Sequence, residues 1–269
     1  MTDWEGAESA LAYRSRAEAV LAVLTGLTNP GGHVIVGDGC SPTVLDALTA
    51  AGRTVSVVPA TEPDAIVAGV RDTTQLVFLP SVAEPGMRLV PVNEIGAVAH
   101  GENLILVVDN SVLTPALFRP LDSGAHVVIE DWSEHGTPVC TVAGGRCLLG
   151  LVPPGEPDVA LPADLLDRVR ERTAAAGTVA AALSRHHLVT RVDRPGFAEH
   201  PWARETHEGF GPVFVLACAT DPTRVATALV DADVLAAPHP FDPAALRVVI
   251  GAADPGPITA AITTALDRP

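Results

Sequence analysis

Apolar runs alternate with amphipathic or alanine-rich stretches through the first half of the chain. Five runs rich in β-branched residues predict strands: 33–36 (HVIV), 54–58 (TVSVV), 75–79 (QLVFL), 104–108 (LILVV) and 126–129 (HVVI). Four other stretches predict helices: 7–27, 43–52, 63–70 and 93–101. Strands that are apolar throughout and that alternate with helices are typical of a parallel sheet covered on both faces. We therefore expect an α/β domain whose ligands gather beyond the carboxyl ends of its strands.

A stretch rich in proline and glycine, residues 150–162, interrupts this alternation and predicts a linker. Beyond it, the pattern predicts a long helix (163–186) and a final helix (258–266), with four shorter segments between them: 189–195, 211–218, 224–232 and 245–254. That order indicates a smaller α+β domain with an antiparallel sheet. We predict two domains, residues 1–152 and residues 153–269.

The charge and hydropathy of the chain argue against several classes of function. A net charge of −15 argues against nucleic acid as a partner, because phosphate binding needs a basic surface. No apolar run is long enough to span a membrane, and the acidic N-terminus lacks the apolar core of a secretory signal. The four cysteines have neither paired nor metal-ligand spacing. They indicate reduced thiols, so we expect a cytoplasmic protein without a metal site.

The basic residues are of one kind. All 17 are arginine, so the chain contains no lysine, although lysine is among the commonest residues of globular proteins. A preference for arginine codons in a GC-rich genome is one explanation, and selection against side-chain amines is another. In either case, no side-chain amine is available to form a Schiff base.

A series of short motifs occupies residues 104–145: LILVVDNS (104–111), LTP (113–115), RPLDSGAH (119–126) and a glycine pair (144–145). In this order and spacing they resemble the Cys/Met-metabolism family of pyridoxal-phosphate enzymes, the group of cystathionine γ-synthase and methionine γ-lyase. Residues 8–39, 79–85 and 245–254 resemble further parts of that family. The resemblance implies a type I aminotransferase-like (PLP-transferase) fold. That fold has a large domain with a mostly parallel sheet and a small α+β C-terminal domain.

The resemblance also implies roles for individual residues. Asp109 corresponds to the acid beneath the pyridinium nitrogen, and Arg247 to the arginine that binds the substrate α-carboxylate. Ser15 begins the family's phosphate turn, and Asn110 follows Asp109 in its motif. We assign Ser15 and Asn110, together with Arg247, to ligand binding. Cys40 stands where the family has a tyrosine that stacks on the pyridine ring.

The lysine that carries the cofactor in the family has no counterpart here. Aligned without a gap between the flanking motifs, the Ser-x-Thr-Lys segment corresponds to residues 131–134, with Ser133 at the threonine and Glu134 at the lysine. Asp131 would repel a phosphate, because like charges about 4 Å apart cost about 4 kcal/mol at an effective dielectric of about 20. With no amine and no stacking ring, we expect pyridoxal phosphate to be lost and the chain to have no cofactor. The vestigial cofactor residues are then Asp109, Ser133 and Cys40.

Two explanations stay open for the carboxylates near position 134. Either they are solvated remnants at a strand end, or Glu130, Asp131, Glu134 and His135 form a remodelled pocket that faces Arg247. Such a pocket could raise a carboxyl pKa for acid–base chemistry, or it could take up a divalent cation. We name Glu134, Asp131 and His135 as the candidate catalytic residues.

Three functions follow from these observations. The first is a pseudoenzyme or partner subunit that binds a protein or an amino-acid-like ligand. The second is a cofactor-independent lyase or transferase that acts on a small amino-acid-derived substrate. The third is an enzyme that holds pyridoxal or pyridoxamine phosphate without a covalent link, with His135 as the base.

The resemblance implies an assembly as well. Family members form dimers and tetramers with active sites at subunit boundaries, and their N-terminal arm has no counterpart in this sequence. We expect at most a dimer, either a homodimer or a heteromer with a full-length family member.

Overall fold

The computed structural model describes residues 2–40, 42–156, 160–196, 198–230 and 232–268. The chain divides into two compact units. Unit 1 comprises Met1–Ala83, Leu89–Ser111 and Phe118–Pro162, and unit 2 comprises Glu84–Arg88, Val112–Leu117 and Ala163–Pro269. Two short segments of the first half therefore belong to unit 2. The boundary between residues 152 and 153 stays a prediction about independently folding domains.

Unit 1 is built on a seven-stranded sheet. The strands in the first part of the chain are β1 (Ser9–Tyr13), β2 (His33–Gly37), β3 (Thr54–Val58), β4 (Thr74–Pro80), β5 (Val82–Ala83), β6 (Arg88–Leu89), β7 (Ile105–Asp109), β8 (Val127–Asp131) and β9 (Cys140–Gly144). The sheet order is β1-β9-β8-β7-β4-β2-β3, and β5 pairs with β6. From β8 to β3 the strands run parallel, whereas β9 is antiparallel to β8 and β1 is antiparallel to β9.

Four of the five predicted apolar runs become inner strands because both faces of this sheet are covered, and the fifth forms the edge strand β3. Every residue of β2 is buried, which explains why its sequence is apolar at successive positions rather than at alternate ones. Strands β7 and β8 are parallel neighbours, with Asp109 opposite Ile129. Their carboxyl ends therefore place Asp109 and Asp131 at the same edge of the sheet. The predicted α/β fold with a mostly parallel sheet is confirmed.

The helices that accompany these strands are α1 (Thr2–Glu5), α2 (Arg16–Gly26), α3 (Pro42–Ala50), α4 (Pro63–Gly69), α5 (Val92–Gly101), α6 (Thr114–Leu117) and α7 (Arg146–Leu149). The helix predicted over 7–27 is wrong in its first part, because Ser9–Tyr13 forms strand β1 and pairs with β9. Hydrogen bonding along a sheet edge outweighs the modest helix preference of Ala and Leu at 10–12. Helix α2 begins only after Ser15, whose hydroxyl accepts a hydrogen bond from the Glu18 amide (3.2 Å).

Unit 2 contains a four-stranded antiparallel sheet, as the sequence predicts. Its elements are β10 (Val189–Asp193), β11 (Val213–Cys218), β12 (Val234–His239), β13 (Asp242–Ile250), α8 (Leu165–Leu183), α9 (Pro222–Ala228) and α10 (Pro255–Asp267). The sheet order is β10-β11-β13-β12. Strand β12, which the apolar pattern did not indicate, is an edge strand with four of its six positions at least partly exposed. Its short VLAAPH sequence carries little periodicity for that reason.

None of the described helices is long and apolar enough to cross a membrane. The longest, α8, has 19 residues and is interrupted by charged side chains on its exposed face.

Candidate functional site

The first group of polar side chains lies in unit 1, beyond the carboxyl ends of β7 and β8. Its centre is Asp109, whose side chain is only 3% exposed. Arg16, the first residue of α2, donates from Nε to Asp109 Oδ2 at 2.5 Å. Ser111 donates to the other carboxylate oxygen, Oδ1, from its amide (3.1 Å) and from its hydroxyl (2.5 Å). The carboxylate thus receives three hydrogen bonds from its own chain, one of them from a cation.

Arg16 is a residue that the sequence reasoning missed. Its side chain is 51% exposed, and it lies near Asp131 and Cys40 as well as Asp109. The negative charge of Asp109 raises the pKa of the Arg16 guanidinium, with Asp131 adding to the effect. The signal was its place in residues 15–17, which the resemblance matches to the family's phosphate turn. A long cationic side chain at that position can instead reach the acid at the end of β7.

The ends of β7 and β8 are joined by the Ser111 hydroxyl. It accepts a hydrogen bond from the Asp131 amide (2.9 Å) while it donates to Asp109. Asp131 Oδ1 in turn accepts from the Ser133 amide (3.0 Å), which starts a short 3-10 helix over Ser133–His135. Asp131 and Ser133 therefore shape the turn that follows β8. Their predicted roles in catalysis and cofactor binding stay predictions.

The remaining residues named around position 134 lie on that turn. His135 is buried, and its ring lies 5.9 Å from the ring of Trp132. The Nε2 atom of His135 is 3.3 Å from the carbonyl oxygen of Ser111. Glu134, at the position of the family's lysine, is partly exposed. The structure thus brings Asp131, Glu134 and His135 to one turn of unit 1, and their catalytic role stays a prediction.

Three other sequence candidates have well-defined surroundings in unit 1. Asn110 is fully buried, and its Nδ2 donates to the carbonyl oxygen of Phe118 (2.9 Å). Ser15 caps helix α2. Cys40 is partly buried and packs against the apolar core that underlies the sheet. Their assignments to ligand or cofactor binding stay predictions.

Of a pair of buried acids in unit 1, the sequence predicted one member, Glu130, and missed the other, Glu5. Glu130 on β8 and Glu5 on α1 are both fully buried, and their two carboxyl groups lie against each other. Burial raises the pKa of Glu130 well above its ordinary value, and the neighbouring Glu5 charge raises it further. The pKa of Glu5 is raised too, chiefly by burial. The signal for Glu130 was its place at the end of the apolar run of β8, and Glu5 on the short helix α1 had no such signal.

The second group lies in unit 2, on β12 and β13. Arg247 is opposite Val215 on one side and Ala237 on the other, so it sits in the middle of the antiparallel sheet. Its Nε donates to both carboxylate oxygens of Glu84, at 2.9 Å and 3.1 Å. The Nε2 of His239 lies 2.9 Å from Glu84 Oε2. The sequence did not predict that Glu84 and His239 lie beside Arg247. Glu84 is 163 residues from Arg247 in the chain, and His239 is on the preceding strand.

Unit 2 also holds a group with metal-ligand residue types, His186, His187 and Asp267. The Leu188 amide donates to Nδ1 of His186 (3.3 Å), so in the neutral ring Nε2 carries the proton. That Nε2 lies 3.3 Å from Asp267 Oδ1, which makes it a donor to the carboxylate rather than an open ligand.

Comparison with known proteins identifies the family. The model of the Cys/Met metabolism PLP-dependent enzymes matches residues 1–135. The chain belongs to this family. It is 30% identical to the O-succinylhomoserine sulfhydrylase of Pseudomonas aeruginosa over 235 residues, which are 78% of this chain and 58% of that protein. It is 30% identical to an L-methionine gamma-lyase of Treponema denticola over 137 residues, 49% of this chain and 34% of that one. The chain thus spans roughly a third to six tenths of the length of these relatives.

Solved structures confirm the fold. The crystal structure of MetY from Campylobacter jejuni superposes with a TM-score of 0.84 at 16% identity, covering 99% of this chain and 84% of that one. The predicted PLP-transferase fold is therefore correct. That structure contains N'-pyridoxyl-lysine-5'-monophosphate.

These comparisons overturn the expectation that the chain has no cofactor. The matched family is one of PLP-dependent enzymes, and the MetY structure carries a pyridoxyl-lysine adduct, so dependence on pyridoxal phosphate is the family trait. The missing lysine by itself does not exclude the cofactor. A cofactor of this kind is held by many contacts, among them an acid beneath its ring, and the covalent link is one of several.

The residues present fit the lysine-linked form of the cofactor poorly. The chain has no lysine, so no internal Schiff base can form. Asp109, the acid that the resemblance places beneath the pyridinium nitrogen, is already bonded to the Arg16 guanidinium. A pyridinium would have to displace that cation.

Proposed function

We propose that this chain is a non-catalytic member of the Cys/Met-metabolism family that acts as a partner subunit for a lysine-bearing member. The observation that carries the proposal is the ion pair between Arg16 and Asp109. The acid that would stabilise a cofactor cation instead stabilises a cation of the chain itself. Because Glu134 stands at the lysine position, this chain also lacks the amine that the reaction requires.

The partner role rests on how the family's sites are arranged. The resemblance implies active sites at subunit boundaries, so a subunit without its own lysine can still contribute surface to the site of a neighbour. The proposal concerns catalysis by this chain rather than its affinity for the cofactor. Pyridoxal phosphate is therefore one of the ligands to be tested.

The experiment has two arms. The purified chain is assayed with pyridoxal phosphate for release of a 2-keto acid from L-methionine, L-cystathionine and O-succinylhomoserine. In parallel it is co-expressed with a full-length, lysine-bearing relative and the complex is analysed by native mass spectrometry. No turnover by the isolated chain, together with a stoichiometric complex, supports the proposal.

Three results contradict it. Turnover by the isolated chain that Glu134→Gln abolishes points to a cofactor-independent enzyme. Turnover that requires added pyridoxal phosphate points to an enzyme with a non-covalently held cofactor. Absence of any complex with the relative refutes the partner role. Glu94→Gln, a change of an exposed carboxylate on α5, is the matched control for Glu134→Gln.

A further inference from the structure

Three side chains of unit 1 form a chain of hydrogen bonds near the amino-terminal ends of β2 and β4. His33, the first residue of β2, is fully buried, and its Nε2 lies 3.0 Å from Oγ of Ser56 on β3. Its Nδ1 lies 2.7 Å from Oγ1 of Thr74, the first residue of β4. A serine, an imidazole and a further polar group that holds the ring form the arrangement by which proteins activate a serine.

Arg71 contacts both ends of this chain of hydrogen bonds. Its Nη2 donates to Ser56 Oγ (2.9 Å), and its amide donates to Thr74 Oγ1 (2.8 Å). Burial lowers the pKa of His33, and the charge of Arg71 lowers it further. The ring is therefore neutral at neutral pH, which is the form that can accept a proton from a serine.

The charge of Arg71 also decides which ring nitrogen holds the proton. The guanidinium is bonded to Ser56 and so lies on the Nε2 side of the ring. A proton on Nε2 would be closer to that positive charge than a proton on Nδ1, so the Nδ1–H form is favoured. Nδ1 then donates to Thr74 Oγ1, and Nε2 accepts from the Ser56 hydroxyl.

From this geometry we propose that Ser56 is a reactive serine, a modification site that takes one acyl group from a small, neutral, activated ester or thioester. Ser56 Oγ bonds to the acyl carbon, and the bond from that carbon to the leaving oxygen or sulfur breaks. The serine proton passes to His33 Nε2 and from there to the leaving group, so the step needs no further reactant. Arg71 stabilises the negative charge that develops on the oxygen during the step.

The surroundings of Ser56 favour a small and neutral acyl donor. Ser56 is partly exposed on β3, which is an edge strand of the sheet. An open cleft of about 450 Å³ has Arg71 and Thr74 in its walls. Asp72 and Glu102 also line this cleft and would repel an anionic donor. The step uses none of the residues around Asp109 and does not depend on the partner role.

The test is acetylation of the purified chain by 4-nitrophenyl acetate, with the acetyl groups located by peptide mass mapping over time. The internal reference is Ser184, an exposed serine whose hydroxyl donates to the Ala181 carbonyl oxygen (2.9 Å). We expect acetylation of Ser56 to be faster than that of Ser184 by about 10²-fold or more, because a positioned base assists only Ser56. Equal rates at the two serines, or no acetyl group on Ser56, would overturn the proposal.

Variants separate the base from its surroundings. His33→Gln should slow acetylation of Ser56 by about 10²-fold. Thr74→Val removes the group that holds the ring and should slow it too, whereas Thr74→Ser should keep the wild-type rate. Ser184→Ala is the matched control and should leave the rate at Ser56 unchanged. A wild-type rate in both His33→Gln and Thr74→Val would show that the imidazole takes no part.

A pH profile of the wild-type chain serves if these variants do not fold. The charged group that acts on the His33 ring is Arg71, and it keeps the imidazole neutral to lower pH than usual. The rate at Ser56 should therefore rise with the neutral fraction of His33 and level off by about pH 7, whereas the rate at Ser184 should go on rising with the hydroxide concentration. A rate at Ser56 that also follows the hydroxide concentration contradicts the proposal. The result does not depend on whether the chain forms a complex with a relative.

Discussion

The buried acid pair of unit 1 should make the stability of this protein fall as the pH rises. Glu130 and Glu5 are fully buried, and burial raises the pKa of both. The charge of Glu5 raises the pKa of Glu130 further, whereas the contact with Glu130 lowers that of Glu5 in part. The charged groups that act on them are Asp109, Arg119 and Asp122. A carboxyl whose folded pKa lies above its unfolded value takes up a proton on folding. The stability that this proton contributes is complete below the unfolded pKa and is lost as the pH rises through the folded one.

The magnitude follows from proton linkage. For each proton taken up on folding, the free energy of unfolding falls by about 1.4 kcal/mol per pH unit between the unfolded pKa, about 4.3 for glutamate, and the folded pKa. Glu130→Gln removes one titrating group and supplies an amide donor that faces Glu5. We expect the variant to be more stable than the wild type by about 1–3 kcal/mol near pH 8. Near pH 4, where the wild-type pair is protonated, the difference should largely disappear.

Urea unfolding followed by tryptophan fluorescence between pH 4 and pH 8.5 measures this difference. A Trp202→Phe background confines the signal to Trp4 and Trp132, whose rings lie 5.9 Å apart in unit 1. Glu94→Gln, on the exposed face of α5, is the control and should leave the pH profile unchanged. The reasoning is refuted if the wild type is equally stable at pH 5 and pH 8, or if Glu130→Gln destabilises the protein to the same extent at both.

Two further predictions concern the surroundings of Asp109. Arg16→Met leaves this buried carboxylate without its cation and should lower the free energy of unfolding of unit 1 by about 1–3 kcal/mol. The loss is smaller than for a wholly buried ion pair because Arg16 is half exposed. Urea unfolding measures it, and unchanged stability would show that the hydrogen bonds from Ser111 alone satisfy the acid. Burial raises the pKa of the Cys140 thiol, as do the nearby carboxylates. Cys140 should therefore stay unmodified by iodoacetamide at pH 8, while the exposed Cys147 reacts. Peptide mass mapping measures the extent of labelling at each cysteine, and equal labelling would contradict the burial of Cys140.

Local pattern was sufficient for much of the fold. The inner strands read as continuous apolar runs because a covered parallel sheet buries both of their faces, and this is visible within five residues. Strand β1 was missed because its SALAY sequence is compatible with a helix. It forms a strand because it pairs with β9, which is far along the chain. Strand β12 was missed because an edge strand needs no apolar face.

The sequence was sufficient to locate the candidate site residues but not to show which groups they contact. The order of motifs placed Asp109, Glu134 and Arg247 in the family's scheme, and the absence of lysine is a property of the sequence alone. The prediction that the cofactor is lost was wrong, since a list of substitutions does not show which contacts to the cofactor remain. The sequence also did not show which donors and acceptors contact the predicted acids and bases.

By itself, the sequence determined that this chain has a PLP-transferase fold, belongs to the Cys/Met-metabolism family and has no amine for a Schiff base. Only the tertiary structure decided that Arg16 bonds to Asp109 and that Glu84 bonds to Arg247. The partners in these two pairs are 93 and 163 residues apart. Periodicity reports which face of an element is buried, whereas ion pairs between distant residues depend on how the chain returns to the same place, and no local pattern encodes that return.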